Sequence, residues 1–181
     1  VKEYQKDISK YTMMPASAIK RHLVVEDREK KLAADCNKMS LNTVEYNSKE
    51  IGVICSGVVY QYVKDALPEA SVLKLGLVYP MPFKLIEQFA KKVERLIVIE
   101  ELEPFFETQI KARGIKCDGK NLFSIQGEIS VAKIKEKVLG IKTKTKQYDL
   151  PNRPPVMCAG CPHRGVFYTL SKLKMRVCAD I

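Results

Sequence analysis

Of the 181 residues 46% are hydrophobic, enough for a folded core and too many for a disordered chain, and 31 Lys and Arg against 21 Asp and Glu leave a net charge of +10. No apolar run reaches the roughly 18 residues of a membrane span, and the polar start Val1 to Asp7 is no signal peptide. Six irregularly spaced cysteines in a Lys-rich chain suit reduced cytoplasmic thiols better than a disulfide framework.

The first residue is not Met, which reads as a piece of something longer. Much of the positive excess lies in Lys133, Lys135, Lys137, Lys142, Lys144 and Lys146. With no interleaved aromatics and no zinc-finger or RRM signature, these read as a solvated helix face running into a linker. Neither nucleic acid nor a membrane is expected as a partner.

In chain order, residues 1–14 read as an irregular lead-in. From Pro15 to about Met39 the pattern is helical, with Ile19, Leu23, Leu32 and Cys36 at helical intervals and His22 as a surface histidine. Residues 40–50, with Ser40, Asn42, Thr43, Asn47 and Ser48, read as a polar linker. Ile51-Gly52-Val53-Ile54-Cys55 is then a continuous apolar run, the pattern of a strand buried on both faces. Ser56-Gly57 is expected to cap a helix carrying Val59, Val63 and Ala66, stopped by Pro68.

A second strand is expected from Val72 to Val78, then a helix from Phe83 to Val93 with Phe83, Ile86, Phe89, Ala90 and Val93 inward. Leu96-Ile97-Val98-Ile99 is the third strand, followed by a helix that begins at Pro104 and ends before Gly114. A short strand near Ile115-Lys116-Cys117 and a helix from Ser130 to Leu139 complete this part. Residues 140–155 read as a second linker, and Met175 to Ala179 as a last strand.

Apolar strands alternating with amphipathic helices predict an α/β fold, a three-layer sandwich around a mainly parallel sheet. Ligands or partners of such a sheet meet the C-terminal strand ends, here Ser56-Gly57, Tyr79 and Glu100-Glu101. No Gly-x-Gly-x-x-Gly and no Gly-Lys-Ser/Thr supports a nucleotide fold. Glu100 and Glu101 read as solvated carboxylates flanking a helix rather than as an acid/base pair.

The chemistry concentrates at Cys158-Ala159-Gly160-Cys161-Pro162-His163-Arg164-Gly165. Two cysteines three apart around a glycine can aim both sulfurs at one atom or at each other. Cys161 is expected as N-cap and Pro162 as first residue of a helix through Val166, Leu170 and Leu173. Its free backbone N–H groups, with His163 and Arg164, suit a thiolate, a cluster or a phosphate. Read by itself, the pair fits a metal or cluster site, a redox pair or two structural cysteines.

Arg153 to Tyr168 resembles the start of the thiamine-binding domain in the alpha subunit of indolepyruvate:ferredoxin oxidoreductases. Ser56 to Lys64, Leu75 to Pro80 and Glu100 to Phe105 resemble that subunit's middle domain, and the likeness runs through nearly all of residues 11–181. It implies residues 1–47 as a helical lead-in and linker, and 48–147 as an α/β domain like the C-terminal domain of transketolase. Residues 148–181 would be a linker and the truncated start of the thiamine-diphosphate-binding domain.

The family implies thiamine diphosphate, Mg²⁺ and a 4Fe-4S cluster in the full-length protein, with a beta subunit and ferredoxin as partners. Aryl pyruvates, indolepyruvate among them, are oxidatively decarboxylated with CoA to aryl-acetyl-CoA. By that resemblance Cys158 and Cys161 stand where two cluster ligands lie, and His163, Arg164 and Asp180 lie toward the cofactor. Ala159 stands where the family often has Pro, which keeps the cysteine spacing. The pyrimidine-binding domain and the Mg²⁺-binding segment have no counterpart in these residues, so this chain alone is expected to be inactive and to carry no cofactor. Two other classes compete: a free-standing basic α/β module for an acidic protein or RNA, and a CoA-binding or acyl-transfer domain.

Overall fold

A computed structural model describes residues 2–144, 148–152, 154 and 156–178. The chain divides into two compact units, Val1–Thr143 and Lys144–Ile181.

The first unit is built on a four-stranded sheet in the order β1-β3-β2-β4. Its strands are β1 (Thr43–Glu45), β2 (Ser48–Ser56), β3 (Ala70–Leu75) and β4 (Arg95–Ile99). β2 pairs in parallel with both β3 and β4, while β1 adds an antiparallel edge to β3. The helices between strands are α3 (Val59–Ala66) and α4 (Phe83–Ala90), followed by α5 (Phe105–Ala112) and α6 (Val131–Leu139). A three-layer α/β sandwich around a mainly parallel sheet is therefore what the chain forms.

Side chains of a strand alternate between faces, so the unbroken run of β2 feeds two cores. Val53 and Cys55 join Val59, Val63, Ile97, Ile99, Phe123 and Ile134 on the α3/α6 side. Ile54 joins Leu73, Leu75, Ile86, Phe89, Val98 and Ile110 on the α4/α5 side. Full burial of one such side chain stabilises by about 2 kcal/mol. Ser130 caps α6 by accepting from Lys133 N, and Gly140 closes it at φ +72°.

Ahead of the sheet lie α1 (Ile8–Tyr11) and α2 (Pro15–Asp35). The lead-in is thus not wholly irregular, since Asp7 caps the short α1 through Lys10 N. The first half of α2 leaves its apolar residues in solvent, with Ile19 71% and Leu23 64% exposed, whereas Cys36 beyond its end is fully buried. His22 lies on the surface beside Glu26.

The expected linker at 40–50 is instead structured, because its asparagines bond to backbone. Asn42 Oδ1 accepts from Gly76 N and Leu77 N, both at 3.0 Å, and its Nδ2 donates to Cys36 O. Asn37 Oδ1 accepts from Lys84 N and Leu85 N at the start of α4, which has no cap of its own. Close packing there needs Gly76: a Cβ would stand 2.2 Å from Leu41 O. This turn ends β3 at Leu75, short of Val78.

Other expectations shift for local reasons. α4 stops at Ala90, with Val93 half-buried beyond it. Ser56-Gly57 does not cap α3, whose N-cap is Val58 without a side-chain bond. Ile115–Cys117 forms no strand; Asp118 alone bridges to Ile97, held by Arg95 at 2.9 Å.

The second unit contains α7 (His163–Lys172). Pro162, not Cys161, is its N-cap. Residues 175–178 form no strand, and Ala179 lies outside the described residues.

Candidate functional site

Two places expected to carry chemistry are built very differently. The first is the C-terminal end of the sheet. β2 is followed by a crossover to β3 on one side, and β4 returns on its other side. The chain thus changes direction between the ends of β2 and β4, where open α/β sheets leave a crevice.

A cavity of about 270 Å³ lies there, lined by Ser56, Gly57, Val58 and Val59 from the β2 end, and by Glu100, Glu101, Glu103, Phe105 and Phe106 from the β4 end. Gly57 turns the chain at φ +55°, with nothing within 4 Å of where a Cβ would be. Leu102, between the two outer glutamates, holds φ +56° and is 73% exposed.

Glu100 is not the solvated carboxylate that its sequence neighbours suggest. It is 7% exposed, and its two oxygens accept Phe106 N at 2.8 Å and Glu107 N at 3.0 Å, closing the N-terminus of α5. Burial pushes its carboxyl above the ordinary range, and the two backbone donors oppose that rise. Glu107, also buried, accepts from Lys111 Nζ and from Lys120 N. Both carboxylates are committed to structure. Glu101 and Glu103 remain exposed on the rim.

The second place is the cysteine turn. Cys161 N donates to Cys158 O at 3.2 Å, and Gly160 sits at φ +75°, the sign that a type II turn requires at its third residue. Glycine meets that φ without strain. The turn keeps the two thiols at the ends of one tight loop, Cys158 exposed and Cys161 half-buried. Arg164 Nη1 reaches back to Cys158 O at 3.5 Å.

α7 then begins at His163 with no side-chain cap and no acidic residue in its first turn. Arg164 N donates to Cys161 O at 3.1 Å, and the basic side chains of His163 and Arg164 stand beside the positive end of the helix, an arrangement that favours an anion. His163 and Arg164 are both exposed. The fold brings Cys158, Cys161, His163 and Arg164 into one stretch; Asp180 lies outside the described residues.

Two soft thiols in a Cys-x-x-Cys turn suit two corners of an iron–sulfur cluster, which takes about four. No group of three or more metal-ligating side chains comes together among the described residues. The turn fits half a cluster site. The thiols of the first unit are of another kind: burial raises buried Cys55 to about 12, half-buried Cys117 to about 11 and buried Cys36 above its ordinary value, so none of the three offers a thiolate at neutral pH.

Sequence reasoning located the sheet end through Ser56-Gly57 and Glu100-Glu101 but missed Glu103 and the phenylalanine wall. The Pro104-Phe105-Phe106 triplet beside a strand end was the available signal.

No family model matches the chain. It is 32% identical over 94% of its length to the indolepyruvate oxidoreductase subunit IorA of Pyrococcus abyssi. The subunits of the same name from Thermococcus kodakarensis and Methanothermobacter thermautotrophicus are each 30% identical, over 94% and 93% of the chain. The chain spans about 30% of the length of these curated relatives. A solved 2-oxoglutarate:ferredoxin oxidoreductase from Magnetococcus marinus, with 2-oxoglutarate, coenzyme A and succinyl-CoA bound, shares the fold. Its TM-score is 0.55 at 20% identity, over 71% of this chain and 24% of that one. The chain is thus similar to about a third of the length of the indolepyruvate oxidoreductase IorA subunits.

Proposed function

We propose that this chain is a segment of a 2-oxoacid:ferredoxin oxidoreductase subunit that acts on aryl pyruvates, indolepyruvate first, with CoA as acyl acceptor and ferredoxin as electron acceptor. The observation that supports it most is the cysteine turn at the uncapped start of α7, in a chain aligned along 94% of its length with IorA subunits. The solved oxidoreductase that shares the fold holds 2-oxoglutarate, coenzyme A and succinyl-CoA.

In this reading Cys158 and Cys161 supply two of the thiolates of a 4Fe-4S cluster, the others coming from outside the described residues. His163, Arg164 and the positive end of α7 bind the diphosphate of thiamine diphosphate, with Asp180 toward the same cofactor and Mg²⁺. Thiamine diphosphate supplies, when bound, an electron sink for the carbon that loses carbon dioxide. The chain's own part is to hold an anion at the helix start and to keep two soft donors beside it. The 48–147 region serves as a rigid support resembling the transketolase C-terminal domain. Residues 148–181 are proposed as the threshold of the diphosphate-binding domain.

The chain alone is proposed to be inactive, because it offers half a cluster site. The full-length subunit, with its beta partner, is expected to reduce ferredoxin when given indolepyruvate and CoA, and the 181-residue chain is expected to reduce none. Failure of the full-length pair with every 2-oxo acid would overturn the assignment.

A further inference from the structure

We infer that the Cys158–Cys161 turn, when it holds no cluster, closes to an intramolecular disulfide by exchange with a small disulfide such as glutathione disulfide, and that this bond locks a cluster out until it is reduced. This deepens the proposed function and rests on it in one respect: the lock matters only where these two thiols are cluster ligands.

The geometry is contained in four residues, so it does not depend on what packs over them. Cys161 N donates to Cys158 O at 3.2 Å, which makes the cysteines the first and fourth residues of a closed turn. Such a turn keeps its end Cα atoms within about 7 Å, and a disulfide spans about 4.4–6.8 Å. Gly160 sets the turn at φ +75°, which glycine adopts without strain. The two ends are therefore held together before any bond forms, and little ordering is left to oppose ring closure. The other four cysteines are placed differently. Cys36 and Cys55 are fully buried, Cys117 is half-buried in the first unit, and Cys178 is exposed with no cysteine near it in sequence.

The exchange balances in two steps. Cys158, the exposed partner, loses its proton and attacks one sulfur of glutathione disulfide, forming a mixed disulfide and releasing one glutathione that takes up the proton. Cys161 then loses its proton, attacks the Cys158 sulfur and displaces the second glutathione, which takes up that proton. The turn gives up two electrons and two protons, and glutathione disulfide gains them as two thiols. A cluster needs both sulfurs as thiolates, so bond and cluster exclude each other.

The test starts from the reduced, metal-free 181-residue chain in glutathione disulfide, followed by thiol blocking and mass spectrometry of tryptic peptides. Cys158 and Cys161 share one tryptic peptide, residues 147–164, that holds no other cysteine. That peptide is expected to lose two hydrogens, and Cys161→Ser is expected to stop at a glutathione adduct on Cys158. Gly160→Val, a branched residue in the left-handed region, is expected to lower the closure equilibrium against the glutathione couple about tenfold. Absence of closure, a bond to Cys178 or to a second chain as the main product, or an equilibrium that ignores Gly160→Val would each overturn the proposal. In the full-length protein, oxidised samples are expected to take up cluster iron at this turn only after dithiothreitol opens the bond, and equal uptake before and after would overturn the lock. Closure is read without iron or turnover. A protein that closes the bond but never binds iron therefore counts against the cluster reading alone, and one that binds iron but never closes counts against the disulfide alone.

Discussion

The Glu100 carboxylate accepts the backbone N–H of Phe106 at 2.8 Å, and that one contact ties the end of β4 to the start of α5. Its second oxygen takes Glu107 N, so a single side chain serves two otherwise orphaned helix donors. Glu100→Ala leaves both donors in a site only 7% exposed. We expect a loss of about 2 kcal/mol, while Glu100→Gln, which keeps one acceptor, loses about half of that. Urea denaturation of the three proteins measures this, and equal stability of all three would show that the cap contributes nothing.

Asn42 plays the corresponding part at the end of β3. Asn42→Ala removes the acceptor for Gly76 N and Leu77 N and the donor to Cys36 O, all in a buried setting. A loss of about 2 kcal/mol is expected, with faster hydrogen exchange at the Gly76 and Leu77 amides. Asn42→Asp keeps the acceptor but loses the donor, and is expected to fall between. Unchanged exchange at both amides in Asn42→Ala would contradict the role given to this residue.

Alkaline stability is set in part by Cys55. The fold raises its thiol from 9.0 to about 12, chiefly by burial. A raised folded value means the contribution is whole below the unfolded value and is lost as pH climbs toward the folded one. Between pH 9.0 and about 12 the unfolded chain ionises this thiol while the fold keeps it neutral, a loss of about 1.4 kcal/mol per pH unit. Cys55→Ala, less stable at neutral pH through lost packing, should close the gap to the parent above pH 9. A gap that stays constant across that range would refute the thiol's part in it.

The three parallel strands were legible because burial on both faces writes an unbroken apolar run, as in Val53-Ile54-Cys55. The helices facing them were legible from periodicity. The 40–50 stretch was not, for a physical reason. Asparagines that bond to backbone have the same letters as asparagines in water, and Thr43–Glu45 is too short to show an alternating pattern. Glu100 and Glu101 are adjacent and chemically identical, so only the position of α5 decides which one turns inward. At the cysteine turn Gly160 and the spacing were readable, while the exact helix start was not, since Pro suits both N-cap and first-turn places.

The most direct test of the account lies at that turn. Iron content and thiamine diphosphate affinity are measured on the full-length protein carrying Cys158→Ala, Cys161→Ala or His163→Ala. Loss of cluster iron and of electron transfer to ferredoxin is expected in both cysteine variants. In His163→Ala, iron is expected to be full, with the Kd for thiamine diphosphate raised about tenfold to a hundredfold, the worth of one donor to a charged group. Full iron and unchanged activity in both cysteine variants, together with an unchanged Kd in His163→Ala, would contradict it.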